Sequence, residues 1–307
     1  MRILFMGTPE FAVPSLRILL DHSYEVSGVV TAPDKPRGRG QQVSFTPIKG
    51  FALHHHLSLF QPEHLTDAMF VSEIQQLAPD LIVVVAFRIL PPEIYTVPTL
   101  GSFNLHASLL PKYRGAAPIH WAIINGEKES GVTTFFLQEK VDTGSILLQA
   151  RVKISPDETA GELHDTLSEV GAEIVLQTVR LIERGKAQTV MQNDSLACPA
   201  PKIFNHDCRI DWKKSSQQVH DFIRGLSPHP ASWTIHNNKI IKLYRTKIED
   251  ASPQMPGMVL RRTHDSLLIG TGNGAVSVMD IQLQGKRRLG IEEFLRGYSI
   301  AEGELLV

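Results

Sequence analysis

Cysteine and long apolar runs are the scarcest features of this sequence of 307 residues. The two cysteines, Cys198 and Cys208, are too few for a disulfide framework and lack the spacing of a zinc site. No apolar run approaches the roughly 18 residues of a membrane-spanning helix, and no signal-peptide cleavage pattern follows the apolar residues 3–6. We therefore expect a cytoplasmic protein in a reducing compartment, without a membrane segment.

An excess of charge is also lacking, since 31 Lys and Arg stand against 32 Asp and Glu. The two parts of the chain differ, however. Residues 1–205 carry 17 basic and 21 acidic side chains, whereas residues 206–307 carry 14 and 11. A mildly basic C-terminal part is a weak indication of a polyanionic partner. A composition of 42% hydrophobic and 21% charged residues excludes a disordered chain.

Length and hydrophobic patterning predict two domains. Apolar, β-branched runs with helical stretches between them predict β-α-β units around a parallel sheet. The predicted strands of this part are residues 3–6, 25–30, 80–86 and 103–106. Residues 131–138 and 145–154 are typical of a hairpin, and the apolar periodicity of residues 159–184 predicts a long helix.

The chain changes character after residue 188. Residues 189–205 show little periodicity, which is typical of a linker. Short strands separated by turn-forming residues follow and predict a small, mostly antiparallel barrel. These strands are residues 232–235, 239–244, 258–261, 266–270 and 275–284.

The most informative motif is Asn104-Leu105-His106, which is followed directly by residues 108–118. Strand side chains alternate, so Asn104 and His106 point to the same face and place an amide donor beside an imidazole. Asp142, in the turn of residues 141–144, can orient or charge the histidine. Together these groups suit a reaction in which an amine attacks a carbonyl and a negative oxygen must be held.

These motifs resemble the folate-dependent formyltransferases, and within them the methionyl-tRNA formyltransferase family. The resemblance extends from the first strand to residues 208–212 and 223–228. It implies an α/β fold, with a Rossmann-like formyltransferase domain in residues 1–188 and a linker in residues 189–205. A C-terminal OB-like β-barrel domain, expected to bind tRNA, would then occupy residues 206–307.

The resemblance also implies the reaction. A formyl group would pass from 10-formyltetrahydrofolate, the co-substrate, to the α-amino group of initiator methionyl-tRNA for translation initiation. Asn104 would hold the oxygen of the tetrahedral intermediate, and His106 would donate to that oxygen or shuttle the proton between the two nitrogens. Asp142 would orient His106 and favour its charged form. The mechanism requires no metal and no covalent nucleophile.

The resemblance places a folate site in two segments. Its expected residues are Ser108, Leu109, Leu110, Pro111, Phe87 and Ile89. Arg88 departs from the family pattern, because many members carry a glycine shortly after the aromatic residue. Ser108 lacks the Gly-x-Ser-x-Gly surroundings of a hydrolase nucleophile. Arg114 is a candidate for substrate binding or for pairing within the chain.

A basic segment, residues 34–49, contains four cations and one acid. Its glycine and proline content predicts an exposed, flexible loop without regular structure. In methionyl-tRNA formyltransferases a basic loop at this position contacts the acceptor end of the tRNA, so Lys35, Arg37 and Arg39 are candidate tRNA-binding residues.

Other interpretations of the sequence stay open. A formyltransferase for an amino-sugar nucleotide would share the same three polar residues, and an RNA-binding protein could use an inactive formyltransferase scaffold. A nicotinamide-dependent oxidoreductase is disfavoured, because residues 7–11 lack the Gly-x-Gly-x-x-Gly pattern. His54, His55 and His56 predict a solvated helix end rather than a metal site. We expect a monomer.

Overall fold

A computed structural model describes residues 1–37, 42–252 and 255–307, with the backbone alone at residues 36, 37, 42 and 43. Its contacts divide the chain into two compact units. The first comprises Met1–Gly115, Ser130–Val152 and His164–Pro199, and the second comprises Ala116–Glu129, Lys153–Leu163 and Ala200–Val307. Within the described ranges, no helix has the length and apolar character needed to cross a membrane.

The elements of the first 200 residues alternate between strands and helices. In chain order they are β1 Arg2–Gly7, α1 Val13–Asp21, β2 Glu25–Val30, β3 Lys35–Arg37, β4 Gln42–Ser44, α2 Pro47–His54, β5 Leu59–Phe60, α3 Ala68–Leu77, β6 Leu81–Val85, α4 Pro92–Tyr95, β7 Ser102–His106, β8 Arg114–Gly115, α5 Pro118–Ile124, β9 Glu129–Phe136, β10 Ile146–Lys153, α6 Ala160–Glu183 and β11 Pro199–Ala200.

The remaining elements are mostly strands. They are α7 Ser216–Gly225, β12 Ser232–His236, β13 Lys239–Glu249, β14 Val259–Arg262, β15 Leu267–Gly270, β16 Ala275–Leu283, β17 Arg288–Gly290 and α8 Ile291–Gly297. Short 3-10 turns lie at Glu10–Ala12, Asp194–Leu196 and Asn205–Cys208.

The first unit is organised around a seven-stranded sheet in the order β10-β9-β7-β6-β1-β2-β5. The strands from β7 to β5 run parallel to one another, whereas β9 runs antiparallel to β7. All five residues of β6 are buried, as expected for a parallel strand covered on both faces. The predicted hairpin therefore extends the parallel sheet as its antiparallel edge.

Packing on α6 determines which face of β7 carries the polar residues. A Cβ atom added to Gly171 of this helix would lie 2.7 Å from Leu105 Cδ2, so a larger residue at position 171 would displace the Leu105 side chain. The side chain of Leu105 therefore faces the helix. Asn104 and His106 point to the opposite face by strand alternation.

The second unit contains an antiparallel sheet in the order β12-β13-β16-β15-β14, with β17 paired to β16. Helix α7 begins at Ser215, which exchanges capping hydrogen bonds with Gln218. The buried core combines α7 residues such as Val219 and Ile223 with sheet residues such as Ile241. In the described ranges β12 and β14 are the two ends of this sheet and do not pair with each other. The C-terminal residues hydrogen-bond to both ends, since Val307 exchanges backbone bonds with Ile235 of β12 and the Val259 N–H of β14 donates to the Glu304 carbonyl at 2.9 Å.

Helix α5 belongs to this second unit although it lies early in the chain. A Cβ atom at Gly225 of α7 would lie 2.7 Å from the Ile124 side chain. The packing of α5 against α7 joins residues about a hundred positions apart, and the linear pattern of the sequence carries no sign of it.

The basic segment is more regular than its composition predicts. Lys35 in β3 pairs antiparallel with Ser44 in β4, and Arg37 pairs with Gln42. Proline is tolerated in such a two-stranded ribbon because each strand has an edge that needs no N–H donor. The prediction of a loop without regular structure is therefore wrong for the two flanks of the segment. Residues 38–41 lie outside the described residues.

Candidate active site

The candidate site lies where β6 and its neighbour β7 end. Val84 is in register with Asn104, and Val85 is in register with Leu105. The chain after β6 and the motif after His106 therefore leave the sheet side by side. Ligand sites in open α/β sheets form at this carboxyl edge.

His106 is held by two neighbours. Its side chain is buried, and its Nε2 lies 2.8 Å from the carbonyl oxygen of Tyr113. A carbonyl only accepts, so Nε2 carries hydrogen and donates to it. The other ring nitrogen, Nδ1, lies 3.8 Å from Asp142 Oδ2. The ring therefore has a fixed orientation, and its second nitrogen faces a carboxylate.

Asp142 reaches this position from the turn between β9 and β10. Its φ angle is 54°, in the left-handed region that aspartate adopts more readily than most residues. Its Oδ2 accepts a hydrogen bond of 2.9 Å from the backbone N–H of Gly115. The same oxygen therefore faces the Gly115 N–H and His106 Nδ1.

Asn104 differs from its neighbours because it is only half-buried within β7. Within the described ranges, no side-chain hydrogen bond of Asn104 is present. The amide stands on the same face as His106 and remains available to a ligand. This is the arrangement needed of a group that donates to a substrate oxygen.

The segment from Ser108 to Leu110 is held by hydrogen bonds to its own loop and to strands β9 and β10. The Ser108 hydroxyl donates to the Lys112 carbonyl at 2.7 Å, and the Ser108 carbonyl accepts from Thr133 Oγ1 at 2.7 Å. Thr133 Oγ1 also accepts from Leu110 N–H at 3.1 Å. Gln149 Nε2 donates to the Leu110 carbonyl at 2.8 Å and to Thr133 at 2.9 Å. The Ser108 hydroxyl is therefore used in a hydrogen bond within its own loop.

The segment after β6 presents one exposed and one half-buried apolar side chain. Ile89 is 73% exposed, and Phe87 packs partly against the core. Arg88 donates to the backbone carbonyls of Glu63 at 2.9 Å and of Pro62 at 2.8 Å. Partial burial lowers the pKa of the Arg88 guanidinium, and nearby Glu63 opposes the shift. Arg88 thus ties this segment to the chain after β5.

The cations of the basic segment have different surroundings. Lys35 is exposed, whereas Lys49 forms an ion pair with Asp34. The hydrogen bond from Lys49 lowers the pKa of the Asp34 carboxyl. The side chain of Arg37 and all of Arg39 lie outside the described residues.

Two residues near the site were not identified from the sequence, Gln192 and Cys198. Gln192 Oε1 accepts from Arg114 Nη2 at 2.7 Å, and Cys198 Sγ accepts from the Tyr113 N–H at 3.2 Å. Arg114 also pairs with Asp194 at 2.7 Å, and this hydrogen bond lowers the pKa of the Asp194 carboxyl. Arg114 is therefore paired within the chain. The predicted linker thus contributes directly to the surroundings of the site.

Comparison with known proteins identifies the family. The family described as "Formyl transferase" matches residues 1–179, and that described as "Formyl transferase, C-terminal domain" matches residues 202–299. The methionyl-tRNA formyltransferase of Bacteroides fragilis is 44% identical over 312 residues, which cover 98% of this chain and 96% of the relative. The chain belongs to the methionyl-tRNA formyltransferase family. The resemblance found in the sequence is thereby confirmed.

Two further matches extend this result. The methionyl-tRNA formyltransferase of Caldanaerobacter subterraneus subsp. tengcongensis is 45% identical over 309 residues, with complete coverage of both chains. The solved N-formyltransferase of Helicobacter canadensis, in complex with folinic acid and dTDP-3-aminofucose, gives a TM-score of 0.69 at 21% identity. That alignment covers 94% of this chain and 99% of the other. At this identity the likeness to the solved structure shows the fold alone.

Proposed function

We propose that this chain transfers a formyl group from 10-formyltetrahydrofolate to the α-amino group of initiator methionyl-tRNA. The product is N-formylmethionyl-tRNA, used in translation initiation. One observation carries the proposal for the chemistry: among the described residues the Asn104 amide has no side-chain hydrogen bond, and it lies on the face of β7 where His106 meets Asp142. The acceptor follows from membership of a family whose curated relatives match this chain over its whole length.

The reaction needs a held oxygen and a moving proton. The amine nitrogen attacks the formyl carbon, the bond from that carbon to N10 of the folate breaks, and a proton passes from the amine to N10. Asn104 donates to the negative oxygen of the intermediate. His106 Nε2 already donates to Tyr113, so Nδ1 takes the proton and Asp142 stabilises the imidazolium.

The folate site would be shared by the two segments that leave the sheet side by side. Phe87 and Ile89 supply apolar surface for the pterin ring, and residues 108–111 supply a loop held by hydrogen bonds to Lys112 and to Thr133 of β9. Because the Arg88 guanidinium bonds to backbone carbonyls, we do not assign it a folate contact.

The tRNA would meet the basic segment through Lys35, Arg37 and Arg39. Basic side chains suit phosphate contacts that weaken as salt rises. We keep the division into residues 1–188, 189–205 and 206–307 as a proposal for domain organisation, together with an OB-like barrel that binds tRNA in the last part. A cytoplasmic monomer completes the proposal.

Formyl transfer measured with matched acceptors tests the function. Purified protein and 10-formyltetrahydrofolate are mixed with charged initiator tRNA, uncharged initiator tRNA or an amino-sugar nucleotide. We expect acid-resistant formyl product on the charged tRNA alone. Transfer to the sugar alone would retain the chemistry and refute the acceptor, and tRNA binding without transfer would favour an RNA-binding protein on an inactive scaffold.

A further inference from the structure

The chain after α6 contributes one half-buried side chain that ties the active-site turn to the rest of the unit. Gln192 Nε2 donates to the backbone carbonyl of Asp142 at 2.9 Å and to that of Gly144 at 2.8 Å. Its Oε1 accepts from Arg114 Nε at 3.1 Å and from Nη2 at 2.7 Å. We propose that Gln192 is a positioning residue that holds the Asp142 carboxylate against His106.

The turn needs such support because of its own conformation. Asp142 occupies the left-handed region at φ 54°, which aspartate adopts more readily than most residues but which is still less favourable than the common backbone conformations and is stabilised by contacts from the surroundings. Two other bonds, from Thr143 to the Lys140 carbonyl and from Gln138 to Thr143, join the turn only to itself and its flank. Gln192 approaches from a segment 50 residues away and anchors the main chain of Asp142.

The contacts of Gln192 form a closed ring around His106. Tyr113, Arg114 and Gly115 are consecutive, and each meets a different member of the site. The Tyr113 carbonyl accepts from His106, Arg114 donates to Gln192, and the Gly115 N–H donates to the Asp142 carboxylate. Because Gln192 binds both Arg114 and the Asp142 backbone, it sets the two anchors of His106 at a fixed separation.

An amide is required at this position on chemical grounds. The Arg114 guanidinium only donates and the two turn carbonyls only accept. The amide therefore has its oxygen toward Arg114 and its nitrogen toward the turn, which satisfies both sides at once. A glutamate of the same shape keeps the acceptor for Arg114 but loses both donors to the turn and places a negative charge against two carbonyl oxygens.

The proposal rests on the proposed function, so the experiment uses formyl transfer with kcat and KM measured separately for folate and for methionyl-tRNA. We expect Gln192→Glu and Gln192→Ala to lower kcat by about 100-fold, since a misplacement of about 1 Å has an effect of that order. Both KM values stay within about twofold, because the two turn carbonyls and Arg114 are not assigned to either substrate. Gln76 is an exposed glutamine on α3 that donates to Ser72 Oγ at 3.2 Å. Gln76→Glu is the matched control and should retain wild-type kinetics.

A double-variant cycle separates positioning from general damage. If Gln192 acts through Asp142, then Gln192→Ala added to Asp142→Ala should lower kcat by less than twofold beyond Asp142→Ala alone. The proposal would be overturned if the double variant lost kcat by the product of the two single losses. It would also be overturned if Gln192→Ala raised KM and left kcat unchanged. Each variant is first checked for a wild-type far-UV spectrum and melting transition. Absence of transfer in the unmodified protein would instead refute the proposed function.

Discussion

Each unit contains a cluster of polar side chains that includes a histidine and an aspartate. The two clusters differ in whether a polar group is left unpaired and available to a ligand. In the second unit His220, Asp221 and Arg224 on α7 are each at most 3% exposed. Arg224 Nε donates to Asp221 at 2.7 Å, and its Nη1 donates to the Glu158 carbonyl at 2.9 Å. Asp221 also accepts from Gln217 at 2.9 Å.

His220 completes that cluster, since its two nitrogens lie 3.1 Å from Thr246 Oγ1 and 3.2 Å from the Pro156 carbonyl. In the described ranges, no buried polar atom of the α7 cluster lacks a partner. The site cluster on β7 instead keeps the Asn104 amide free and leaves 3.8 Å between His106 and Asp142. A buried ionisable cluster whose partners all lie within the chain stabilises the fold, whereas one with an open donor can bind a substrate.

The largest effect should come from breaking the closed cluster. Asp221→Ala leaves the Arg224 guanidinium buried without its carboxylate, which should lower the free energy of unfolding by about 3–5 kcal/mol. Urea denaturation followed by tryptophan fluorescence measures this change. Asp250→Ala, in the exposed chain after β13, is the control. If Asp221→Ala lowered the free energy of unfolding by less than about 1 kcal/mol, the cluster would not be an important contributor to stability.

Opening the site cluster should reduce turnover without affecting stability. Asn104→Ala removes the donor for the oxyanion, so kcat should fall by about 100-fold or more, or about 2.7–4 kcal/mol of transition-state stabilisation. The KM for folate and the urea midpoint should stay near their wild-type values, because the amide makes no bond in the described chain. Unchanged turnover would remove Asn104 from the mechanism.

The Ser108 hydroxyl provides an intermediate case, since it lies beside the site and is paired internally. Ser108→Ala removes the hydrogen bond from the hydroxyl to the Lys112 carbonyl and should lower the free energy of unfolding by about 1 kcal/mol. We expect kcat to change by no more than about threefold. A large rise in the KM for folate with unchanged stability would mean that the hydroxyl contacts the co-substrate after all.

The smallest effect concerns the basic segment. Arg39→Ala should raise the KM for tRNA several-fold and reduce the magnitude of its salt slope by about one unit, because one phosphate contact is lost. Lys49→Ala is the matched control, since Lys49 is already paired with Asp34. An equal effect of the two variants on the tRNA salt slope would remove the special role of Arg39.

Much of the first unit followed from local pattern. The predicted strand of residues 25–30 coincides with β2, and the helix predicted at residues 159–184 is α6, Ala160–Glu183. A continuous apolar run indicates a strand that is buried on both faces, and apolar residues that repeat every 3.6 positions indicate a helix with one buried face. The predicted pairing of Asn104 and His106 on one face also depends only on alternation within a single strand.

The second unit was predicted less completely. Its strands were recognised from turn residues, but α7 and α8 were not. In the described ranges its two end strands, β12 and β14, do not pair with each other, and residues 303–307 hydrogen-bond to both of them. Helix α7 carries the polar cluster on a buried surface, and polar residues such as His220 and Arg224 do not indicate burial in a sequence. One of their partners, the Glu158 carbonyl, lies 66 residues before Arg224 in the chain.

The sequence by itself determined which chemical groups are present and which strand carries them. Asn104 and His106 share a face because a strand alternates, whatever surrounds it. Only the tertiary structure decided that Gln192 supports Asp142, that Cys198 contacts the chain at Tyr113, and that α5 packs with the C-terminal unit. These contacts join positions from about 50 to 100 residues apart. Local periodicity indicates which residues are buried and to which face of an element their side chains point. Which distant segments come into contact depends on how the whole core packs.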